Sequence, residues 1–244
     1  MKRHQFQELY ELEDFYWWFI GRRELVRDLV RRYSPDPGQR LLDAGCGTGG
    51  TLHQLEGRGA LYGCDRSQYA LTCCLRRGLG CVSLADVTSL PYDPDTFGVV
   101  VSCDVLEHVP DDRAAVAEMV RVLRPGGHLV LTVPAHRFLW SEHDEALAHL
   151  RRYSAKELRA LLQEAGLQVV KLSPVVVIAF PPILLFRLLQ RLRRRQPDEP
   201  KTDLRVLPAP LNKLLIWALR LENWLLRYLN LPVGTSLVAV ARKP

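Results

Sequence analysis

The chain has 244 residues, 48% of them hydrophobic, and carries 33 Lys and Arg against 27 Asp and Glu, a net charge of +6. This apolar content suffices for one large core, and no window reaches the roughly 18 uncharged apolar residues of a membrane-spanning helix. The N-terminal segment is acidic where a signal peptide would be apolar, and the six cysteines form no C-x-x-C pair. We therefore expect a cytoplasmic protein with reduced thiols.

Short apolar segments alternate with helical segments over the first half of the chain. Residues 6–33 have helical spacing, and the sequence SPDPGQ (34–39) ends it. We predict strands at residues 40–45, 60–65, 81–86, 96–104 and 128–134. We predict helices at 49–57, at 67–77 after a Ser67 cap, and at 111–123. This alternation is typical of a parallel sheet covered by helices on both faces, whose ligands lie at the carboxyl ends of the strands.

The second half of the chain departs from this alternation. Residues 153–166 form a predicted helix with a capping box, Ser154 and Glu157. The last two strands are predicted within 167–180 and 235–243. Between them we predict two apolar helices on either side of a proline-rich linker.

A glycine-rich turn, LLDAGCGTGG (41–50), joins the first predicted strand to the next helix. Gly45, Gly47 and Gly50 satisfy G-x-G-x-x-G, the dinucleotide fingerprint. With Gly49 in place of Gly50 the spacing is G-x-G-x-G, the loop used by enzymes that bind S-adenosylmethionine. Both ligands need a backbone that they can approach closely and that offers unpaired N–H groups. The loop by itself leaves both open.

Three carboxylates around the loop favour the methyl donor. Asp43 lies two residues before Gly45, where its negative charge can pair with a cationic amine. The same charge does not help to bind an anionic pyrophosphate. Asp65 ends the second predicted strand and can accept hydrogen bonds from ribose hydroxyls in either case. Asp86 ends the third strand and can accept from an adenine amino group.

The chain contains, in this order, LLDAGCGTGG, YGCD, ADVTSLPY, FGVVVSCDVLEHVPD and VLRPGGHLVLTVP. This ordered set resembles the class I S-adenosylmethionine-dependent methyltransferases, most closely the bacterial small-molecule branch that includes ubiquinone- and menaquinone-pathway enzymes. The resemblance covers about residues 38–172 and the final strand. It implies a Rossmann-like, doubly wound α/β sheet of about seven strands, the last one antiparallel, with a helical insertion before it.

The resemblance also implies the cofactor, S-adenosyl-L-methionine, and the residues that hold it. The glycine loop would line the methionine moiety, Asp65 would hold the ribose, Asp86 and Val87 would frame the adenine, and Asp43 with the backbone near Cys103 would orient the amino group. The cofactor-binding residues predicted in this way are Asp43, Gly45, Cys46, Gly47, Gly49, Asp65, Arg66, Asp86, Val87 and Cys103.

Methyl transfer from a sulfonium is an in-line displacement, and a hydroxyl acceptor also benefits from a general base. The candidate catalytic residues are Glu107, His108 and His143. The candidate acceptor-binding residues are Trp18, Arg22, His136, His149, Arg152 and Tyr153. The alternatives are a structural turn for Glu107 and His108 and a hydrogen-bonded loop for His143 and His149. They are a solvated helix entry for Arg152 and Tyr153, an amphipathic helix face for Arg22, and core packing or a lid for Trp18. The spacing of the histidines matches no standard ligand pattern, so we predict no metal site.

The positive charge is concentrated in residues 181–230, which hold ten Lys and Arg against four Asp and Glu, an excess equal to the whole net charge. We expect an N-terminal helical cap (1–37), a cofactor-binding core (38–180 and 231–244) and this basic insertion. Lys and Arg beside Leu, Phe and Trp are typical of a helix on an anionic bilayer, and the alternatives are an acceptor lid or a homodimer face.

We therefore predict methyl transfer to a small, hydrophobic or lipid-linked acceptor, by a cytoplasmic protein that is peripheral on the inner face of the membrane if the insertion contacts lipid. The chain lacks the Asn/Asp-Pro-Pro-aromatic element that base methylation uses, so no nucleic-acid partner is expected. Two other functions stay open from the sequence. They are an NAD(P)-dependent oxidoreductase and a non-catalytic, cofactor-binding membrane adaptor.

Overall fold

The computed structural model describes residues 3–193 and 206–244, which form a seven-stranded sheet flanked by helices. The strands are β1 (Arg40–Ala44), β2 (Ala60–Asp65), β3 (Val82–Leu84), β4 (Phe97–Cys103), β5 (Leu123–Pro134), β6 (Gln168–Val175) and β7 (Ser236–Arg242). Their order in the sheet is β3-β2-β1-β4-β5-β7-β6, and β7 runs antiparallel to β5 and β6. The predicted Rossmann-like sheet with an antiparallel last strand is confirmed.

The helices cover both faces of the sheet and part of its edge. They are α1 (Arg3–Leu12), α2 (Trp17–Tyr33), α3 (Gly50–Gln54), α4 (Gln68–Arg76), α5 (Asp112–Val122), α6 (Glu142–Ala146), α7 (Ala155–Glu164), α8 (Phe180–Arg193) and α9 (Ala209–Leu225). Local capping chemistry sets several of the starts. Ser67 accepts from the Ala70 amide, and Ser154 and Glu157 form the predicted capping box.

The N-terminal region differs from the single helix predicted over 6–33. The chain turns at residues 13–16 between α1 and α2, and there Glu13 points its carboxylate inward to Thr48 of the glycine loop. The helical pattern of the sequence is interrupted here because the contact joins the end of α1 to a loop that lies 35 residues away in the sequence. β5 also begins earlier than predicted, at Leu123 rather than at residue 128, since residues 123–127 are part of the strand.

The central strands β1, β4 and β7 are buried on both faces, as their continuous apolar sequences require. In β4, Val100 packs with α5 and α7, whereas Val99 and Val101 pack with α2 and α9. The strand order reverses between β1 and β4, which lie side by side. Ligands of open α/β sheets bind outside the carboxyl ends of the strands at such a switch point, so the fold itself positions the site.

Helix α9, in the second half of the insertion, packs on α2. Gly21 makes this approach feasible, because an added Cβ would lie 2.3 Å from Cδ1 of Leu219. The Asn223 side chain donates a 3.0 Å hydrogen bond to the Gly21 carbonyl. Within residues 3–193 and 206–244, none of the helices combines the length and apolarity needed to cross a membrane.

The proline-rich linker and part of the cationic run, residues 194–205, lie outside the described residues. The predicted division into an N-terminal cap, a core and an insertion stays a prediction.

Candidate active site

A cavity of about 1280 Å³ opens at the carboxyl ends of the first strands. Its walls come from α1, the start of α2, the glycine loop, the segments after β2, β3, β4 and β5, and α8. The cavity brings together most of the predicted site residues, which are Trp18, Arg22, Asp43, Gly45, Cys46, Gly47, Asp65, Arg66, Asp86, Val87, Cys103, Glu107, His108, His143, His149 and Arg152.

The glycine loop is held in place by hydrogen bonds to the carboxylate of Asp65, the last residue of β2. Asp65 accepts from the Gly47 amide at 2.9 Å and from the Ser67 amide at 2.8 Å, so one carboxylate ties the loop to the start of α4. Gly45 has φ +85°, and a Cβ added there would lie 2.5 Å from Cγ2 of Val105. Glycine is required at this position both by the backbone conformation and by the close packing.

Asp43 lies at the floor of the cavity and is 1% exposed. Its Oδ2 is buried and has no hydrogen-bond partner among the described residues. Burial raises the pKa of Asp43 to about 7; the Arg22 guanidinium acts in the opposite direction, and the nearby Asp65 and Glu13 carboxylates raise it further. A buried acceptor that lacks a donor is costly, and a cationic amine from a ligand would satisfy it.

The next two strand ends complete one side of the cavity. Asp86, after β3, accepts from the amide and the hydroxyl of Thr88 at 2.9 and 2.8 Å, and these two bonds lower its pKa. Val87 beside it is buried. A carboxylate and an apolar side chain at this strand end offer an acceptor for an exocyclic amine and a flat surface for a ring.

Arg22 reaches the cavity from α2. Its guanidinium forms an ion pair with Asp104, which follows β4, and lies 4.7 Å from the centre of the Trp18 ring. Asp104 in turn accepts a 3.2 Å hydrogen bond from the Thr132 hydroxyl of β5. These contacts join α2 to the ends of β4 and β5, on the wall next to Asp43.

Glu107 and His108 lie in the short 3-10 turn after β4. The Glu107 carboxyl is 1% exposed, and neither oxygen has a hydrogen-bond partner in the part of the chain that the structure describes. Burial and the neighbouring Asp104 hold the pKa of Glu107 well above its usual range. Burial and the nearby His149 ring lower the pKa of His108 to about 4, so its imidazole is neutral at pH 7.

The segment after β5 is organised by a buried carboxylate, Asp144. It accepts from His149 Nδ1 at 2.8 Å and from Arg152 Nε at 2.7 Å. Arg152 also donates to the Ala135 carbonyl at 3.0 Å. The His149 and Arg152 side chains hold the pKa of Asp144 well below its usual range, although burial acts in the opposite direction. The contacts fix His149 with its ring centre 4.8 Å from that of His108.

Residues 42–131 match the family described as a methyltransferase domain. The O-methyltransferase cnsE of Penicillium expansum is 31% identical over 193 residues, which cover 68% of this chain and 65% of that protein. Residues 42–131 therefore form a class I S-adenosylmethionine-dependent methyltransferase domain. The predicted enzyme class and cofactor are confirmed at the level of the family, and the bacterial small-molecule branch stays a prediction.

Two further proteins show how far the likeness extends. Phthiotriol/phenolphthiotriol dimycocerosates methyltransferase 1 of Mycobacterium ulcerans is 34% identical over 136 residues, 50% of this chain and 48% of that protein. The crystal structure of a methyltransferase from Thermotoga maritima has a TM-score of 0.65 at 18% identity, covering 99% of this chain and 96% of that one, which supports the fold. The methyltransferase spans at most 65% of the length of the first three curated relatives it matches.

The cavity of the methyltransferase fits S-adenosylmethionine by the chemistry of its polar groups. The cofactor carries an ammonium, a ribose diol and an adenine, and the cavity offers an unpartnered buried carboxylate oxygen on Asp43, a carboxylate on Asp65 and a carboxylate on Asp86. The three lie at the carboxyl ends of β1, β2 and β3, so they lie along one edge of the sheet.

Three predicted residues lie away from the cavity of the methyltransferase. An added Cβ on Gly49 would meet Leu79 and Cys74, so its place is in the packing behind the loop. The His136 ring stacks on Phe138, with centres 4.9 Å apart. The Tyr153 hydroxyl is buried and donates to Asp112 at 2.7 Å, which raises its pKa because a neighbouring carboxylate opposes ionisation. The binding roles predicted for these residues stay predictions, beside the packing that is observed.

The methyltransferase also uses acidic residues that the sequence analysis did not select. Glu13 accepts from the Thr48 hydroxyl at 2.6 Å and from Arg77 at 2.8 Å, which fastens α1 over the glycine loop. Asp104 and Asp144 hold the other wall. Glu13 and Asp144 lie in acidic stretches that are also typical of solvated surfaces. Asp104, directly after β4, had a usable signal, since it ends a strand as Asp43, Asp65 and Asp86 do.

Proposed function

We propose that this methyltransferase transfers a methyl group from S-adenosylmethionine to a small, hydrophobic or lipid-linked acceptor. The observation that carries the proposal is the buried carboxylate oxygen of Asp43 at the floor of a large cavity, which has no partner among the residues that the structure describes. A carboxylate in that state is suited to an ammonium, and the family supplies a cofactor that has one. Of the two curated relatives named above, the name of cnsE gives no acceptor and that of the Mycobacterium ulcerans protein gives phthiotriol and phenolphthiotriol dimycocerosates, so the names do not choose an acceptor for this chain.

The side chains of the cavity act chiefly by positioning the cofactor and the acceptor. Asp43 would hold the amino group, Asp65 the ribose hydroxyls, and Asp86 with Val87 the adenine. When bound, S-adenosylmethionine supplies an electrophilic methyl group on a sulfonium. Holding an acceptor in line with that methyl group is worth up to about 7–11 kcal/mol in favourable cases. Glu13 fastens α1 over the glycine loop and so helps to exclude water from the cavity.

The acceptor side of the cavity favours an apolar molecule. Large apolar side chains line it from three segments, including Trp18 of α2, Val176 after β6, and Ile183 of α8. Leu207, just before α9, also contributes to the wall. Ile183 and Leu207 belong to the 181–230 insertion, which also contains α9 and its exposed apolar face.

That face of α9 is a candidate for contact with a membrane surface. A stripe of large apolar side chains follows helical spacing and continues into the turn after α9, and Trp217 is 62% and Tyr228 73% exposed. The stripe consists of Leu214, Trp217, Leu221, Trp224 and Tyr228. Lys213 lies next to it, while Arg220 and Arg227 make ion pairs with Glu24 and Asp28 of α2. Exposed tryptophan and tyrosine beside cations are suited to the interface of an anionic bilayer.

The transfer itself is tested with methyl-labelled S-adenosylmethionine and a lipid extract, followed by partition between water and an organic solvent. With the cofactor kept below its wild-type dissociation constant, we expect label in the organic phase with the wild type and about 10- to 100-fold less with Asp43→Asn. Label confined to the aqueous phase would contradict an apolar acceptor. Absence of transfer to any fraction by a protein that binds the cofactor would favour the non-catalytic adaptor.

Membrane contact is tested separately by flotation with vesicles that contain anionic lipid. The double variant Leu214→Glu/Trp217→Glu should lose the vesicle-bound fraction, whereas Leu75→Glu, at a position 56% exposed on α4, should float like the wild type. Equal flotation of all three proteins at low salt would overturn the membrane proposal. A wild-type dimer that the double variant dissociates would instead assign this face to a second copy of the chain.

A further inference from the structure

Three side chains that could ligate a metal converge on one wall of the cavity. Glu107 and His108 come from the turn after β4, and His149 comes from the segment after β5, 41 residues further along the chain. One ligand atom from each lies within 4.8 Å of the other two. All three residues line the cavity, so an ion among them would face the space proposed for the acceptor.

The hydrogen bond from His149 fixes which ring nitrogen is available. Nδ1 lies 2.8 Å from Oδ1 of Asp144, a fully buried carboxylate that also accepts from Arg152. A carboxylate in an ion pair only accepts hydrogen bonds, so in the neutral imidazole Nδ1 carries the proton and Nε2 keeps its lone pair. A histidine that donates its other ring N–H to a carboxylate is the usual arrangement of a metal ligand.

His108 is arranged in the same way. The backbone carbonyl of Ala148 accepts a hydrogen bond from its ring, which leaves the other ring nitrogen as an acceptor. The His108 and His149 rings meet edge to face, with an interplanar angle of 74°. Each imidazole is therefore oriented by a hydrogen bond from one nitrogen and keeps the other nitrogen free to bind a cation.

Glu107 completes the set. Both of its carboxyl oxygens are buried, and within residues 3–193 and 206–244 no other residue donates a hydrogen bond to either of them; the one nearby donor is the backbone amide of Glu107 itself. Buried polar side chains in folded proteins are nearly always partnered, so a buried carboxyl group with no donor from another residue calls for a ligand. A divalent cation next to the two imidazoles would satisfy both oxygens.

We propose that Glu107, His108 and His149 bind one divalent transition-metal ion of the Zn²⁺ class. Two imidazoles with one carboxylate suit Zn²⁺, Co²⁺ or Fe²⁺ and are unsuited to Mg²⁺, which prefers oxygen ligands. Metal–nitrogen distances are about 2.0–2.1 Å, so the three side chains would close toward the ion from the separations observed. This proposal replaces the sequence-based prediction of no metal site.

The role of the ion rests on the proposed function. A three-residue site would leave coordination positions open toward the cavity, and a hydroxyl acceptor that occupied one would have a lowered pKa and release its proton to solvent water. The metal ion would then assist the deprotonation that a side-chain base would otherwise perform. Metal binding itself does not depend on this role, so the two are tested apart.

The binding test uses the full chain after treatment with a chelator, titrated with Co²⁺ under anaerobic conditions. We expect one equivalent to give visible absorption bands of a nitrogen- and oxygen-ligated ion, without the near-ultraviolet charge-transfer bands of a thiolate ligand. Zn²⁺ should displace the signal and Mg²⁺ should not. Because this measurement uses the wild type, it does not depend on the folding of any variant. An unchanged aqueous Co²⁺ spectrum would overturn the proposal, as would thiolate bands alone.

The residues are then tested one by one. His149→Ala and His108→Ala should each weaken Co²⁺ binding at least about tenfold, with S-adenosylhomocysteine affinity retained as the sign of an intact fold. His53→Ala is the control, since His53 is exposed and paired only with Glu56 on the surface. Full Co²⁺ affinity in both cavity variants would contradict the site. Metal binding without any cofactor binding would sink the proposed function and leave the metal site standing.

Discussion

The two sides of the cavity are built on different principles. On the cofactor side, Gly45, Gly47 and Asp65 act through backbone conformation and backbone amides within one β–α turn and the next strand. On the acceptor side, Asp144 and Arg152 act through side chains that fasten one segment after β5. A site formed by backbone groups within one turn can therefore be recognised from a short sequence motif. Sites built by side-chain contacts appear only once the segments are brought together.

The largest effect is expected where the acceptor side depends on one buried carboxylate. Asp144→Ala leaves the buried Arg152 guanidinium without its partner, so we expect a loss of about 3–5 kcal/mol in the free energy of unfolding. Urea unfolding measures this. Glu164→Ala is the control, because its ion pair with Arg113 is exposed and should contribute less than about 1 kcal/mol. Similar losses in both variants would show that Asp144 does not organise this wall.

On the cofactor side, Asp43→Asn should weaken the binding of S-adenosylhomocysteine about 10- to 100-fold, since it replaces a charge-assisted bond of about 1.5–3 kcal/mol. The thermal midpoint should stay unchanged or rise at pH 8. The pKa of Asp43 is raised in the folded protein, so its ionisation costs stability as the pH rises from the usual value toward 7, and the amide removes that cost. A fall in both affinity and thermal midpoint would point to a structural role instead.

The same carboxylate predicts how cofactor binding depends on pH. Only the ionised form of Asp43 can pair with an ammonium, and its pKa is about 7 in the free protein. Affinity for S-adenosylhomocysteine should therefore fall by up to about tenfold per pH unit below 7 and level off above it. In Asp43→Asn this dependence should disappear. A wild-type affinity that is constant from pH 5.5 to 8 would show that Asp43 is not the group that pairs.

The smallest effect is expected at the contact that joins α1 to the loop. Glu13→Gln keeps an acceptor for the Thr48 hydroxyl but loses the charge that pairs with Arg77, so we expect affinity for S-adenosylhomocysteine to fall about two- to tenfold. Glu11→Gln, at an exposed position two residues earlier, should change nothing. An effect larger than that of Asp43→Asn would mean that closure by α1 contributes more to binding than the floor of the cavity.

Local chemistry explains which parts of the fold could be predicted. The bounds of β2 (60–65) and the caps at Ser67, Asp111 and Ser154 follow from residues within a few positions of one another. The break between α1 and α2 could not be predicted, because it depends on the contact of Glu13 with Thr48.

The candidate site divides in the same way. Asp43 could be selected because it lies two residues before the glycine loop, and Asp65 and Asp86 because each ends a predicted strand. Tyr153 was assigned to the acceptor, yet its hydroxyl bonds to Asp112, 41 residues away. The pairing of His149 with His108 likewise depends on how two loops meet, which spacing along the chain does not encode.

The central claim is that Asp43 and the glycine loop hold S-adenosylmethionine. Calorimetric titration of the wild type and Asp43→Asn with S-adenosylhomocysteine, and of the wild type with NADH, tests it most directly. We predict one S-adenosylhomocysteine per chain for the wild type, an affinity about 10- to 100-fold weaker for the variant, and no heat with NADH. Binding of NADH, or equal affinity of both proteins for S-adenosylhomocysteine, would contradict the account.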